Sequence, residues 1–361
     1  MNILHVITSL ARGGAENQLL LLAAHQRAAG HQVAVAGLKE PSDLAPAFAA
    51  AAVTPHALGL RRYGDPGPVA RLRALVAALQ PDIVHAHLPP AELYTRLALA
   101  GRPERLVITR HNDERFAPVV GQRLLSRWCA ARAARVVCIS EAVRRWTTIA
   151  GQGPGLDPGH CTVIRYGLDP SPFMAATPAP DLGRAGPLVG TLARLVPQKG
   201  LDVLLEAFAM VPPPSCLVIA GDGPLLPMLA ARAAQPGLAG RVRLLGPRAD
   251  AAAVLAALDL FVLPSRWEGF GLVLLEAMAS GLPIVASFVS AIGEVVEDGT
   301  TARLVPPDDP AALAAALSAL LADPARRQAM GAAGRARVRE RFAPQGMVAA
   351  MLDLYRAVLA G

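Results

Sequence analysis

Short β-branched runs alternate with longer Ala/Leu-rich stretches of helical period along the whole chain. That alternation predicts βαβ units built around parallel sheets. In the first half, the runs at 2–8 (NILHVIT), 32–38 (QVAVAGL), 82–88 (DIVHAHL), 105–111 (RLVITRH) and 135–140 (RVVCIS) read as strands. Helices are expected between them at 15–29, 67–79 and 120–133, and a shorter run at 161–168 closes this half. A polar stretch over 169–187, holding Pro170, Pro172, Pro178, Pro180 and Pro187, has the composition of a linker. The pattern then restarts. Strands are expected at 188–192, 216–220, 242–246, 259–264, 283–286 and 302–305, with helices at 200–210, 225–234, 249–257 and 272–279. Beyond 308 the chain reads as helix only, over 309–322, 324–341 and 345–359. The fold class is therefore α/β: two tandem Rossmann-like, doubly wound parallel-sheet domains, 1–168 and 188–344. Ligands of such sheets sit at the carboxyl ends of the strands, and two such domains facing each other are expected to form a cleft.

Composition removes several alternatives. Of 361 residues, 53% are hydrophobic and 17% charged, so the chain has the means to bury large cores and is not disordered. The net charge is +7, but the arginines are dispersed and no aromatic-interleaved basic stripe exists, which excludes nucleic acid as a partner. Lys39 and Lys199 are the two lysines among 35 basic residues, so a lysine in a loop stands out against an Arg-biased background. The chain opens directly on a strand pattern without a basic leader, and no uncharged apolar run reaches the ~20 residues of a bilayer crossing. Cys129, Cys138, Cys161 and Cys216 have neither CxxC spacing nor His partners at metal-site intervals. A cytoplasmic protein with reduced thiols is expected. One basic-apolar stretch, Leu60-Arg61-Arg62-Tyr63 with Arg71-Leu72-Arg73, suits either an anionic membrane surface, with a peripheral position on the inner face of the plasma membrane, or a solvated helix face.

The densest chemistry lies in 259–286, DLFVLPSRWEGFGLVLLEAMASGLPIVA. A strand ends at Pro264, a loop carries Glu268, and Gly269, Phe270 and Gly271 lead into a helix holding Glu276. Glycines at a helix start admit a close backbone approach, and the free N–H groups there favour a phosphate. Glu276 lies roughly 7 Å further along the axis, where a carboxylate accepts two hydrogen bonds from a ribose diol. The surrounding LVLLEAMA is nearly all apolar, so a charge there needs a partner or a ligand. A second block, LVGTLARLVPQKG at 188–200, places Arg194 and Lys199 after one strand, where two cations are able to clamp a diphosphate. In a third, AGDGP at 220–224, the Gly221 turn serves either a nucleotide or the chain reversal alone. In the first domain, Gly13 and Gly14 follow strand one and open a helix, and His111 ends a strand. His85 and His87 alternate within one strand and so share a face, as core residues or as ligands. No group of His, Asp or Glu shows metal-ligand spacing, so no metal is expected.

These residues together resemble a retaining glycosyltransferase of the family 4 type with the two-domain GT-B fold. The likeness runs over almost the whole chain, through RGGAE at 12–16, His111 in TRHND, CISEAV at 138–143, Arg194 and Lys199, AGDGP, and EGFGLVLLEAMASGLPIVAS. It implies a metal-independent transfer, without a cofactor, of a hexose or N-acetylhexosamine from a UDP- or GDP-sugar to a glycan or lipid-linked acceptor of the cell envelope. It further implies that Glu276 binds the ribose and that Arg194 and Lys199 hold the diphosphate. The backbone of Phe270, Gly271 and Leu272 would meet phosphate and sugar, Glu268 the sugar hydroxyls, and His111 the sugar from the other domain. Gly13 and Gly14 would line the cleft, and the helix at 345–361 would return to the first domain. Three sites depart from the family pattern: Arg165-Tyr166-Gly167, the loop Val289–Gly293 beside the donor sugar, and Thr301-Ala302. A nucleotide-sugar epimerase of the same fold and a two-domain binding protein are the rival readings. RGGAE with EGFGLVLLE favours transfer over the first, and Glu268 with Lys199 argues against the second.

Overall fold

The computed structural model describes residues 1–40, 42–101, 106–112, 120–131, 133–149, 153–180, 182–183 and 185–361. The chain divides into two compact units, Met1–Gly167 with Pro344–Gly361, and Leu168–Ala343. The first is built on a seven-stranded sheet of β1 (Asn2–Ser9), β2 (Gln32–Lys39), β3 (Thr54–Ala57), β4 (Ile83–His87), β5 (Leu106–Arg110), β6 (Arg135–Cys138) and β7 (Cys161–Val163). All neighbours are parallel, in the order β3-β2-β1-β4-β5-β6-β7. The central strands are buried along both faces, which is why they read as continuous apolar runs rather than alternating ones. β3 falls outside the sequence reading because TPHA carries a proline. It occupies the sheet edge, where a residue without an N–H is tolerated. The helices Pro89–Ala98 and Glu141–Thr148 also go beyond that reading. The first starts on two prolines suited to a first turn, and in the second Ser140 Oγ accepts from the Val143 N–H at 3.1 Å.

The second unit holds six parallel strands, β8 (Leu188–Leu192), β9 (Cys216–Ala220), β10 (Val242–Gly246), β11 (Leu260–Leu263), β12 (Ile284–Ser287) and β13 (Ala302–Val305). Their order is β10-β9-β8-β11-β12-β13. Leu204 and Phe208 of the helix Leu201–Met210, with Leu317 of the helix Pro310–Ala322, pack on Val189, Leu260 and Val262 to form its core. Both sheets change winding direction once, between β1 and β4 and between β8 and β11. In open α/β sheets the ligand crevice lies beyond the carboxyl ends at such a point.

The Pro-rich stretch read as a linker is part of the second unit's structure. It contains a short helix, Ser171–Met174, the Ala179 N–H donates to the Ala253 carbonyl at 2.9 Å, and Ala179 and Leu182 are buried. Prolines remove donors but do not prevent packing, and composition alone could not separate a linker from a packed coil. The helix Pro344–Ala360 belongs to the first unit, where Tyr355 is fully buried. Among the described residues no helix is long and apolar enough to cross a membrane.

Candidate functional site

In the second unit, the chain leaving β8 and the chain leaving β11 meet at the switch point. Lys199 Nζ donates to Glu268 Oε1, and Ser265 Oγ donates to the same oxygen at 2.8 Å. Both charged side chains are largely enclosed, and Ser265 is fully buried. The two loops are stitched together around this pair. Gln198 Nε2 donates to the Trp267 carbonyl at 3.0 Å, and the Arg266 N–H to the Gln198 carbonyl at 2.8 Å. The Arg266 guanidinium grips Asp202 through two nitrogens at 3.0 and 2.8 Å and Asp308 at 2.7 Å. Gly200 closes the turn with φ +58°, and a Cβ there would stand 2.1 Å from the Pro264 carbonyl oxygen. Arg194 is exposed, and among the described residues its guanidinium has no hydrogen-bond or ion-pair partner. The pair is thus held between the two loops, and Arg194 belongs to the same loop as Lys199.

The helix Leu272–Ser280 starts at Gly271, which holds the left-handed conformation at φ +82°. The Leu274 N–H donates to the Gly271 carbonyl at 2.8 Å, and the N–H groups that open a helix are a favourable place for an anion. Glu276 lies one turn on, half-buried on the otherwise apolar helix, and among the described residues its carboxylate has no partner. Burial pushes its pKa up to about 7. The loop after β12 lies against this site, with the Ala291 N–H 3.4 Å from the Glu268 carbonyl and Ser290 at φ +45°, a conformation costing about 1–3 kcal/mol outside glycine.

In the first unit, the register of three strands lines up a file of histidines. His5 pairs with His85 across β1 and β4, and His87 with Thr109 across β4 and β5. His111, two residues past Thr109, falls on the same face. His5 Nδ1 lies 3.1 Å from His87 Nε2, and His87 Nδ1 lies 3.1 Å from His111 Nε2. Gln26 Oε1 meets His5 Nε2 at 2.8 Å at one end, and the Tyr166 hydroxyl meets His111 Nδ1 at the other. His85 is held by the Tyr355 hydroxyl at 2.5 Å and Thr109 Oγ1 at 2.7 Å. Burial lowers every member, His5 to about 4 and His85 and His87 well below the ordinary value. His111 falls to about 3, with the neighbouring Arg110 guanidinium adding to burial. Arg110 itself forms a buried ion pair with Glu92 at 3.0 Å. The ring nitrogens of His5, His85 and His87 all lie within 4.8 Å of one another. Linear spacing therefore did not reveal a group that the strand register assembles.

Two family models match the chain: one described as Glycosyltransferase Family 4 over residues 12–172, the other as Glycosyl transferases group 1 over residues 186–323. A phosphatidyl-myo-inositol mannosyltransferase of Mycobacterium leprae is 32% identical over 91% of this chain and 88% of its own. The chain belongs to glycosyltransferase family 4. An alpha-maltose-1-phosphate synthase of Mycolicibacterium smegmatis is 33% identical over 77% of this chain and 79% of its own. Among solved structures, the Anabaena protein HepE in complex with UDP and glucose superposes on this glycosyltransferase with a TM-score of 0.87. That likeness covers 99% of this chain and all of HepE at 25% identity. The α/β, doubly wound GT-B architecture expected from the sequence is thereby shown.

Residue by residue, the glycosyltransferase brings Lys199, Glu268, Phe270, Gly271, Leu272 and Glu276 to the carboxyl-end region of the second sheet. The Phe270 side chain is buried against the Phe342 ring, 6.0 Å between centroids. Gly221 has a backbone explanation: at φ +141° a Cβ would stand 1.9 Å from the Ala193 carbonyl oxygen, and its N–H donates to the Gly246 carbonyl at 2.8 Å. Gly13 makes room for the Glu16 carboxylate, whose Oε2 would lie 2.4 Å from a Cβ at that position, while Gly14 opens the helix. Both ring nitrogens of His111 meet side chains of the first unit, His87 Nδ1 and the Tyr166 hydroxyl. Arg71 and Arg73 are also spoken for. Arg71 Nε donates to the Leu58 carbonyl at 2.6 Å and Arg73 Nη2 to the Leu97 carbonyl at 2.9 Å, while Arg61 and Arg62 have no side-chain partner among the described residues. Sequence reasoning missed Ser265, Gln198 and the Arg266 clasp, because a serine and an arginine in a polar loop carry no signal without the partner loop.

Proposed function

We propose that this glycosyltransferase is a retaining, metal-independent enzyme that moves a hexose or N-acetylhexosamine from a UDP- or GDP-sugar to a hydroxyl of a cell-envelope glycan or lipid-linked acceptor. The observation that carries the reading is Glu276, a desolvated carboxylate without a partner among the described residues, one helical turn beyond a glycine-started N-terminus. A ribose diol supplies the two donors it lacks, and the diphosphate then rests on the N–H groups of the first turn. Arg194 and Lys199 neutralise charge on the departing diphosphate, and Glu268, oriented by Lys199 and Ser265, meets sugar hydroxyls. The acceptor hydroxyl attacks the anomeric carbon on the face from which the diphosphate leaves. HepE is solved with UDP and glucose and with UDP-glucose, and the Mycobacterium leprae relative is named for a phosphatidyl-inositol acceptor. Both support a nucleotide-sugar donor and a membrane-associated acceptor, and Arg61 and Arg62 remain candidates for contact with an anionic surface.

The test is a panel of UDP- and GDP-sugars scored by thermal stabilisation and then by transfer. A donor at 100 times its Kd adds about 2.7 kcal/mol. One base series should stabilise the protein and Glu276→Ala should abolish that response. Stabilisation undiminished in Glu276→Ala would overturn the assignment.

A further inference from the structure

The histidine file is a directed chain. A neutral imidazole carries one N–H and one lone pair, so each ring passes on the polarity it receives. Gln26 Oε1 is an acceptor, so His5 places its proton on Nε2, 2.8 Å away. His5 Nδ1 is then a lone pair and must accept from His87 Nε2–H, at 3.1 Å. His87 Nδ1 in turn accepts from His111 Nε2–H, again at 3.1 Å. His111 Nδ1 is left to accept the Tyr166 hydroxyl proton. Gln26 Nε2 is buried and has no hydrogen-bond partner among the described residues, so the direction of the chain rests on the Oε1 contact to His5. His5 and His87 are buried and Tyr166 nearly so, while His111 is half-buried.

We propose that Gln26, a residue of the first helix, fixes His111 in its Nε2–H tautomer through His5 and His87. Gln26, His5 and His87 are thus positioning residues for the rim of the first sheet. The consequence for the reaction rests on reading His111 as part of the transfer site. His111 serves there as a fixed, neutral ring whose protons are committed inward, not as an acid or base. The register of three strands and one helix contact carry the chain to His111, which lies just past β5.

The experiment is nitrogen-detected NMR of the full-length protein with 15N-labelled histidine. In the wild type, His111 should show a pyrrole-type Nε2 and a pyridine-type Nδ1. Gln26→Met removes the acceptor, so His5 should move its proton to Nδ1 and the chain should reverse, carrying the His111 proton to Nδ1. Turnover should fall about tenfold with donor KM unchanged. Tyr166→Phe removes the hydroxyl at the other end and should leave the His111 tautomer as it is. An Nδ1–H His111 in the wild type, an unmoved tautomer in Gln26→Met, or a reversal in Tyr166→Phe would each overturn the proposal. The wild-type spectrum decides the direction even where a variant fails to fold. Absence of transfer by the wild type from every donor would instead count against the functional reading, and the tautomers would report independently of it.

Discussion

Lys199 and Glu268 form one enclosed ion pair across two loops that lie 69 residues apart in sequence, and Ser265 donates to the same carboxylate oxygen. The pair follows the neighbouring strands β8 and β11, so one contact joins the two loops beyond them. Removing Lys199 alone leaves a carboxylate enclosed with a hydroxyl as its remaining partner. Lys199→Ala should therefore lose about 3 kcal/mol of stability as well as turnover. Lys199→Ala with Glu268→Gln should recover most of the melting temperature but none of the transfer. Recovery of transfer in the double variant would show the pair to be structural only.

On the proposed reading, Glu276 would couple donor binding to a proton. Its folded pKa is raised from 4.5 to about 7 by burial, so the ligand-free carboxyl contributes stability below 4.5 that is lost as pH rises through 7. A ribose diol needs the ionised form as acceptor, so binding expels the proton. Donor affinity should fall as pH drops below about 7, approaching tenfold per unit. Titration calorimetry at pH 6, 7 and 8 in buffers of different ionisation enthalpy should show proton release, and Glu276→Gln should bind more weakly with a flat profile. Equal affinity at pH 6 and 8 in the wild type would remove Glu276 from the diol.

Most of the second-unit site was legible in the sequence because its chemistry is local. Glu276 stands out as a charge in an apolar helix, and Lys199 as a lysine in an arginine-rich chain. The first-unit chain was not legible, because His5, His87 and His111 become neighbours only through the register of β1, β4 and β5. Register in a parallel sheet depends on crossovers that no local pattern encodes. At Gly221 the sequence left a nucleotide and a chain reversal open, and the close approach of the Ala193 carbonyl accounts for the glycine by itself.

The histidines also set an acid limit. His5 and His111 titrate near 4 and 3 in the folded chain, and His85 and His87 well below the ordinary 6.5, all chiefly through burial. Below 6.5 the unfolded chain takes up protons that the folded one refuses. Depressed values mean stability is intact above 6.5 and is lost as pH falls towards 4. Each histidine contributes a slope of up to about 1.4 kcal/mol per pH unit in that window. Calorimetry from pH 7 to 4.5 should show the first unit melting progressively earlier. A melting temperature constant down to pH 5 would mean that these rings are protonated in the fold.

The same cluster is expected to hold protons rather than a metal ion. Every ring nitrogen of His5, His85 and His87 already meets Gln26, Thr109, Tyr355 or another imidazole, and no carboxylate in the group would balance a divalent charge. Transfer after dialysis against a chelator should proceed at the untreated rate, since Arg194, Lys199 and a helix start supply the positive field. A rate restored only by added metal would reverse that conclusion.

Gly200 tests whether the loop geometry itself is required. Its φ of +58° is costly for any side chain, and an added Cβ would stand 2.1 Å from the Pro264 carbonyl oxygen, which must then move. Pro264 directly precedes Ser265, so the displacement is transmitted to Glu268. Gly237 has a similar φ of +86° with nothing within 4 Å of its would-be Cβ, and so isolates strain from collision. Gly237→Ala should cost about 1 kcal/mol with transfer unchanged, and Gly200→Ala about 2–4 kcal/mol with turnover reduced. Chemical denaturation alongside steady-state kinetics separates the two. Matching losses in both variants would show that the backbone strain, and not the Pro264 contact, accounts for the glycine at position 200.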